Sequence, residues 1–383
     1  MSDPKTVTDP RIRSVDVLKG AAIIGVVFAH LMFFGGSVDS DTGMDLGEFF
    51  YAALPMFIVM SGYFHRPERG ILNNLKKRVL LIFVVIIVFT IGLNLLMYGY
   101  MCLLGYDLDS SELLDNIIEM VLGKGCFQDI NDPGYTGTDI LAPYEVSHPY
   151  YFLQILAVGS IIFYLVADWA LKDVKRVLAS VIILTSITAL YMEFIHVQLP
   201  FLAQLGPLVA AYLLIGASLG KNNVADYLEN GYREKRYWII FMAFTIIAIV
   251  LIYLFPTHMA LIYSEFGDYG GWSCYTFMLI SVTAGMSLFY LAALASKIPL
   301  ISQTLCRLGR DSLWIFLLHV FIAKLMVAPF AEIQAHPLFP IEDPMMCILL
   351  AIITIVAIEL MIEVKNRMCR PSDSSKNDEK PSE

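Results

Sequence analysis

Runs of about twenty apolar residues recur along most of this 383-residue chain and leave few folds open to it. The hydrocarbon core of a bilayer, about 30 Å thick, offers the backbone no outside hydrogen-bond partner, so such a run crosses it as an α-helix. About ten runs are predicted, near residues 17–35, 46–64, 79–103, 149–167, 176–192, 200–219, 237–256, 274–296, 311–330 and 344–364. Hydrophobic residues at 57 %, charged residues at 16 % and a mean hydropathy of +0.67 fall outside the range of soluble domains. The expected fold class is therefore all-α integral membrane, a polytopic bundle of about ten transmembrane helices. The first run ends in Phe33-Phe34-Gly35-Gly36, with no small-residue cleavage site, and reads as a retained span rather than a signal peptide.

Basic residues alternate between loops. Lys5, Arg11, Arg13 and Lys19 precede or open the first span, and Arg66, Arg69, Lys76, Lys77 and Arg78 follow the second. Further clusters are Lys172, Lys175 and Arg176, then Lys221, Arg233, Lys235 and Arg236, then Lys297, Arg307 and Arg310, and finally Lys365, Arg367 and Arg370. The intervening loops hold almost none, apart from Lys124 in a long acidic segment. By the positive-inside rule both termini are expected in the cytoplasm, with the chain in the cell membrane among its lipids. The net charge of −9 says little about partners, because acids gather in the outer loop 104–148, and nothing suggests nucleic-acid binding. Residues 1–16 read as a cytoplasmic leader, 17–364 as one membrane domain, and 365–383 as a disordered tail. The six cysteines show no paired metal spacing, and no metal is expected. Cys126 and Cys274 are both placed outside, with Cys102 near the same side, which leaves an outer disulfide open.

The residues that promise chemistry sit inside the spans. Lys19 and His30 are eleven positions apart, so they share one helix face and lie about 16 Å apart along the axis. An ionisable group inside a span usually faces a polar partner or a water-filled cavity, which makes His30 the first candidate for catalysis. Lys19, near the surface, is placed to snorkel or to bind an anion. In the second run Pro55 removes a backbone donor, and Ser61-Gly62 offers a small polar pair where a ligand can approach. A proline-bent span with a small-residue packing face reads the same segment equally simply. His319 lies in the middle of the ninth span, where catalytic, orienting and structural roles are all open.

Taken in order, these segments resemble the membrane acyltransferase family 3. The resemblance rests on Asp16-Val-Leu-Lys19-Gly20 leading to His30, on Phe57-Ile-Val-Met-Ser61-Gly62-Tyr63, and on the cluster Lys76-Lys77-Arg78. It continues in Pro149-Tyr150-Tyr151-Phe152-Leu153 and in Leu308-Gly309-Arg310-Asp311-Ser312-Leu313-Trp314, which runs on to His319. Together the matches cover about residues 13 to 330. Leu54-Pro55-Met56-Phe57 is most similar to the fucose 4-O-acetylase-like, polysaccharide-modifying branch. The sequence departs from the family in having Ala53 and Pro55 where a histidine or an acid is often found, so the acidic partner of His30 is undefined; Glu48 and Asp45 are the nearest candidates.

The resemblance implies transfer of an acyl group, most often acetyl, from cytoplasmic acyl-CoA to a sugar hydroxyl of a surface polysaccharide or glycolipid. His30 is then the general base or, in a variant, the carrier of a covalent acyl group. Glu48 or Asp45 is the candidate to orient it, and Ser61, its backbone amide, Tyr150 or Tyr151 the candidate oxyanion donor. Lys19, Arg78 and Arg310 are the candidates to hold the phosphates of acetyl-CoA, arginine through its planar fork and lysine as a point charge. Tyr150, Tyr151, Gln154, Trp314 and His319 are the candidates to line the acceptor pocket. Two alternatives stand beside this reading: succinyl or another acyl group as cargo, and a glycan or lipid transporter or flippase. Transporters often carry paired interrupted helices and two similar halves, and no convincing internal repeat is evident here.

Overall fold

The computed structural model describes residues 12–34, 54–67, 70–106, 108, 110–123, 146–195, 197, 199–255, 270–329 and 344–368. Among these residues there are helices and turns but no strand. The long helices are α1 (Arg13–Phe34), α4 (Leu81–Leu103), α6 (Tyr151–Ala170), α7 (Val174–Phe194), α8 (Gly206–Lys221), α10 (Lys235–Leu254), α11 (Ser273–Ala295), α12 (Pro299–Val327) and α13 (Pro344–Met368). Shorter ones are α2 (Leu54–Tyr63), α3 (Ile71–Leu75), α5 (Ser110–Leu122) and α9 (Val224–Asn230). Lys76–Leu80 forms a single π-helical turn joining α3 to α4, and Pro200–Leu205 forms a 3-10 segment leading into α8.

Eight helical segments are long and apolar enough to cross a membrane, and each coincides with a run expected from sequence. The other two expected runs differ in kind. Of residues 46–64 only the ten of α2 are described as helix, and Glu48 and Asp45 lie outside the described residues. Residues 311–327 of the ninth run belong to α12, which at 29 residues is about 43 Å long, but Arg310, Asp311 and Lys324 interrupt its apolar stretch. The first and last helices also outrun the apolar pattern, since α1 begins at Arg13 and α13 continues to Met368. Cys102 and Cys274 are free thiols, the latter buried, and Cys126 lies outside the described residues.

Two packing motifs organise the bundle. In the first, α8 runs through the centre with every residue from Leu208 to Leu214 fully buried, surrounded by α2, α6 and α7. Lipid tails are as apolar as leucine, so helices in a membrane gain most where small residues bring backbones together. The pair Gly216 and Gly220 supplies that contact. A Cβ at Gly216 would stand 1.9 Å from the Val59 carbonyl oxygen of α2, and one at Gly220 would stand 2.2 Å from that of Tyr63. In the second motif, α1 lies along α12, flanked by α11 and α13. Here a Cβ at Gly20 would meet the Leu305 carbonyl oxygen at 2.1 Å, and one at Gly309 would meet that of Asp16 at 2.0 Å.

The ends of the helices that carry basic residues are tied to one another by side chains. Lys221 donates to the Leu171 carbonyl at 2.5 Å, satisfying an orphan acceptor at the end of α6. The Ser14 amide at the start of α1 donates to Glu229 of α9 at 2.8 Å, and the Ala225 amide at the start of α9 donates to the Tyr63 hydroxyl at 3.3 Å. Glu359 pairs with Arg307 across α12 and α13, and Glu363 lies 3.7 Å from the same guanidinium.

Adding a side chain at the tightest crossing is expected to separate α2 from α8. Gly216→Val should lower the thermal stability of the purified protein by at least the about 1–3 kcal/mol typical of overpacking. Gly92→Ala, on a face of α4 with no neighbour within 4 Å of the new Cβ, should be neutral or slightly stabilising. Melting curves of the two variants in one detergent check both outcomes.

Candidate functional site

The crossing of α1 and α12 fixes more than stability. The two helices run parallel, because Gly20 meets Leu305 and Gly309 at one end while His30 meets His319 further on. His30 stands ten residues beyond Gly20, and His319 ten beyond Gly309. Equal rises of about 15 Å therefore carry the two imidazoles to the same depth. Their ring centroids are 4.9 Å apart with the planes inclined at 56°, and Nε2 of His319 lies 3.3 Å from Nδ1 of His30.

Backbone carbonyls decide which nitrogens carry hydrogen. Nδ1 of His30 lies 2.8 Å from the Val26 carbonyl oxygen, which can only accept, so Nδ1–H donates and in the neutral ring Nε2 keeps its lone pair. Nδ1 of His319 lies 2.7 Å from the Phe316 carbonyl and 3.2 Å from that of Ile315, so it too is a donor. His319 is fully buried, whereas His30 is only half-buried. Among the described residues none engages Nε2 of His30.

Aromatic residues close the surroundings. Phe316 lies 6.0 Å from the His319 ring, Phe152 of α6 packs on Phe316 at 5.6 Å, and Phe57 of α2 packs on Phe152 at 6.5 Å. Tyr150, at the entry to α6, is buried and donates its hydroxyl hydrogen to the Leu317 carbonyl at 2.5 Å. That bond fixes the turn of α12 that bears His319. The segment before Tyr150 is itself anchored by Asn94, a buried amide in the middle of α4. Asn94 accepts from the Val146 amide and donates to Ser147 Oγ and the Thr90 carbonyl, each at 2.8 Å. Sequence reasoning passed over Asn94; a carboxamide inside an apolar span was the available signal.

A second group lies toward the basic end. Arg78, in the π-helical turn, donates to the Ser61 carbonyl at 2.8 Å and to the Tyr164 hydroxyl at 3.3 Å. The Lys19 ammonium sits 5.2 Å from the centre of the Phe64 ring, just past the end of α2. Ser61, Lys19 and Arg78 thus gather around the end of α2, while His30 stands about 16 Å further along α1 than Lys19. His65 follows α2 with its ring 5.0 Å from Phe163 and 5.8 Å from Tyr164.

The remaining candidates are dispersed. Arg310 is exposed, next to the glycine that touches α1. Trp314 packs against Phe89 of α4 at 6.0 Å and, five residues before His319, points about 140° away around α12. Gln154 is buried, and its amide nitrogen donates to the Met120 and Val121 carbonyls at 2.7 and 3.2 Å, closing the end of α5. Tyr151 is buried in the core.

The anchoring role of Asn94 is directly testable. Asn94→Leu keeps the volume but strands the buried Val146 amide, which should cost about 1–3 kcal/mol. A melting curve of the purified variant checks this, and the ordinary stability of a surface substitution would contradict it.

A family model described as an acyltransferase domain matches residues 12–363 of the chain. No curated protein matches, and no solved structure does.

Proposed function

Since the chain belongs to this acyltransferase family and is therefore an acyltransferase held in a membrane, we propose that it moves an acyl group, acetyl in the first instance, from acyl-CoA to a sugar hydroxyl of a surface polysaccharide or glycolipid. The observation that carries the reading is His30, half-buried in the bundle with Nδ1–H engaged and Nε2 left as a lone pair. A general base needs that lone pair. As the acceptor oxygen attacks the thioester carbonyl, Nε2 takes the hydroxyl proton, and it then delivers that proton to the departing thiolate. The C–O bond forms as the C–S bond breaks, and His30 ends the cycle neutral.

The basic end suits the donor. The phosphates of acyl-CoA carry several negative charges, and Lys19 and Arg78 each reach residues at the end of α2. Arg78 uses two of its five N–H groups on Ser61 and Tyr164, which leaves three for a phosphate. The distance of about 16 Å from Lys19 to His30 suits an extended pantetheine arm between the phosphates and the thioester. In this arrangement the basic end and both termini face the cytoplasm, where acyl-CoA is made, and the protein resides in the cell membrane. Glu48, which lies outside the described residues, is the acid proposed to orient His30. Family membership favours this enzyme over the transporter that composition alone left open.

Purified protein offered labelled acetyl-CoA and a panel of cell-surface glycans should label at least one of them. His30→Ala should lower the rate about 100- to 10,000-fold, the usual worth of a general base. Lys19→Ala and Arg78→Ala should instead raise KM for the donor more than they lower kcat. Full transfer by a folded His30→Ala protein would remove the base from this position. Absence of transfer from every acyl-CoA tried would remove the proposed reaction.

A further inference from the structure

We infer that His319 is the positioning residue for His30, sharing its Nδ1–H with the Val26 carbonyl in a bifurcated hydrogen bond and so helping to hold the imidazole in the tautomer that leaves Nε2 bare. The inference deepens the proposed reaction, and only its kinetic readout rests on that reading. Free imidazole side chains in water favour hydrogen on Nε2, which is the wrong nitrogen for a base acting through that atom. Something must hold the hydrogen on Nδ1. The Val26 carbonyl, one turn back on the same helix, does part of this. A second acceptor on the neighbouring helix fixes the plane of the ring as well, and Nε2 of His319 stands there at 3.3 Å.

His319 has no other role open to that atom. Its Nδ1 faces two carbonyl oxygens and must carry hydrogen. A second hydrogen on Nε2 would confront the Nδ1–H of His30, donor against donor. The arrangement is therefore directional, with His30 donating and His319 accepting, and both nitrogens of His319 are occupied within the protein. Its full burial keeps water from competing for Nε2, while His30, only partly buried, is the residue of the pair that a substrate can reach. The bond from Tyr150 to the Leu317 carbonyl steadies the turn that presents His319.

Two measurements on the full-length protein test this. In protein labelled with nitrogen-15 histidine, long-range proton–nitrogen spectra should show His30 and His319 both protonated at Nδ1 and bare at Nε2. The two signals are assigned by their loss in His30→Gln and His319→Gln. A hydrogen on Nε2 of His319, or on Nε2 of His30, overturns the inference whether or not acyl transfer is ever observed. In the transfer assay, His319→Leu removes the acceptor and should lower kcat about 100-fold, the scale of a misplaced catalytic group, with the donor KM little changed. His319→Gln can place Oε1 where Nε2 stood and should recover most of that loss. Equal activity of His319→Leu and wild type overturns the inference, as do folded Leu and Gln variants that are equally slow. Should His319→Leu fail to fold, the wild-type spectrum alone decides.

Discussion

The contact between α1 and α12 at Gly20 and Gly309 is the constraint from which the site follows. Two helices whose backbones touch cannot slide or roll freely, since each carbonyl occupies the space where the other helix lacks a Cβ. In a bilayer this matters more than in water, because no hydrophobic driving force reassembles helices that have drifted apart. With the crossing set, depth along each helix becomes a ruler. The two histidines meet because each lies the same number of residues past its glycine.

Around that axis the protein keeps two regions apart. Phe316 lies against the histidine pair, and the Asn94 and Tyr150 anchors turn polar side chains inward onto backbone groups that hydrocarbon cannot satisfy. The end of α2 gathers Lys19, Arg78 and Ser61, and Arg78 closes a carbonyl that the terminating helix would otherwise leave without a partner. The π-helical turn at Lys76–Leu80 carries this arginine, in keeping with the tendency of such turns to occur at functional sites. A small surface helix, α9, bonds to the start of α1 and to Tyr63 at the end of α2, so the elements bearing both regions share one support.

Much of this was legible in the sequence, for physical reasons that differ from residue to residue. Apolar length announces a membrane helix, so eight of the ten expected spans coincide with long helices, while α12 begins twelve residues before its apolar run. The early Lys19–His30 segment and the late Gly309–His319 segment, far apart in the chain, lie side by side in the bundle. What the sequence hid was the direction in which side chains point. Gln154 and Trp314 sit close in sequence to site residues, but rotation about the helix axis sends one to the end of α5 and the other against α4. Ser61 lies at the basic end because α2 runs toward that end, a direction that the Pro55 and Ser-Gly pattern does not encode. Asn94 gave no warning of Val146 and Ser147, its partners from a segment more than fifty residues away.

The equal spacing of glycine and histidine on the two helices has an evolutionary corollary. Inserting or deleting one residue between Gly20 and His30 would raise or lower the imidazole by about 1.5 Å and swing it about 100° around the helix. The same change between Gly309 and His319 would not repair the damage, because each ring would turn about its own axis and leave the other. Point substitutions in these stretches can accumulate one at a time, but a change of length in either is closed to gradual drift. The inherited quantity here is a pair of matched distances, and lineages that descend from this arrangement are free to vary its lining far more than its count.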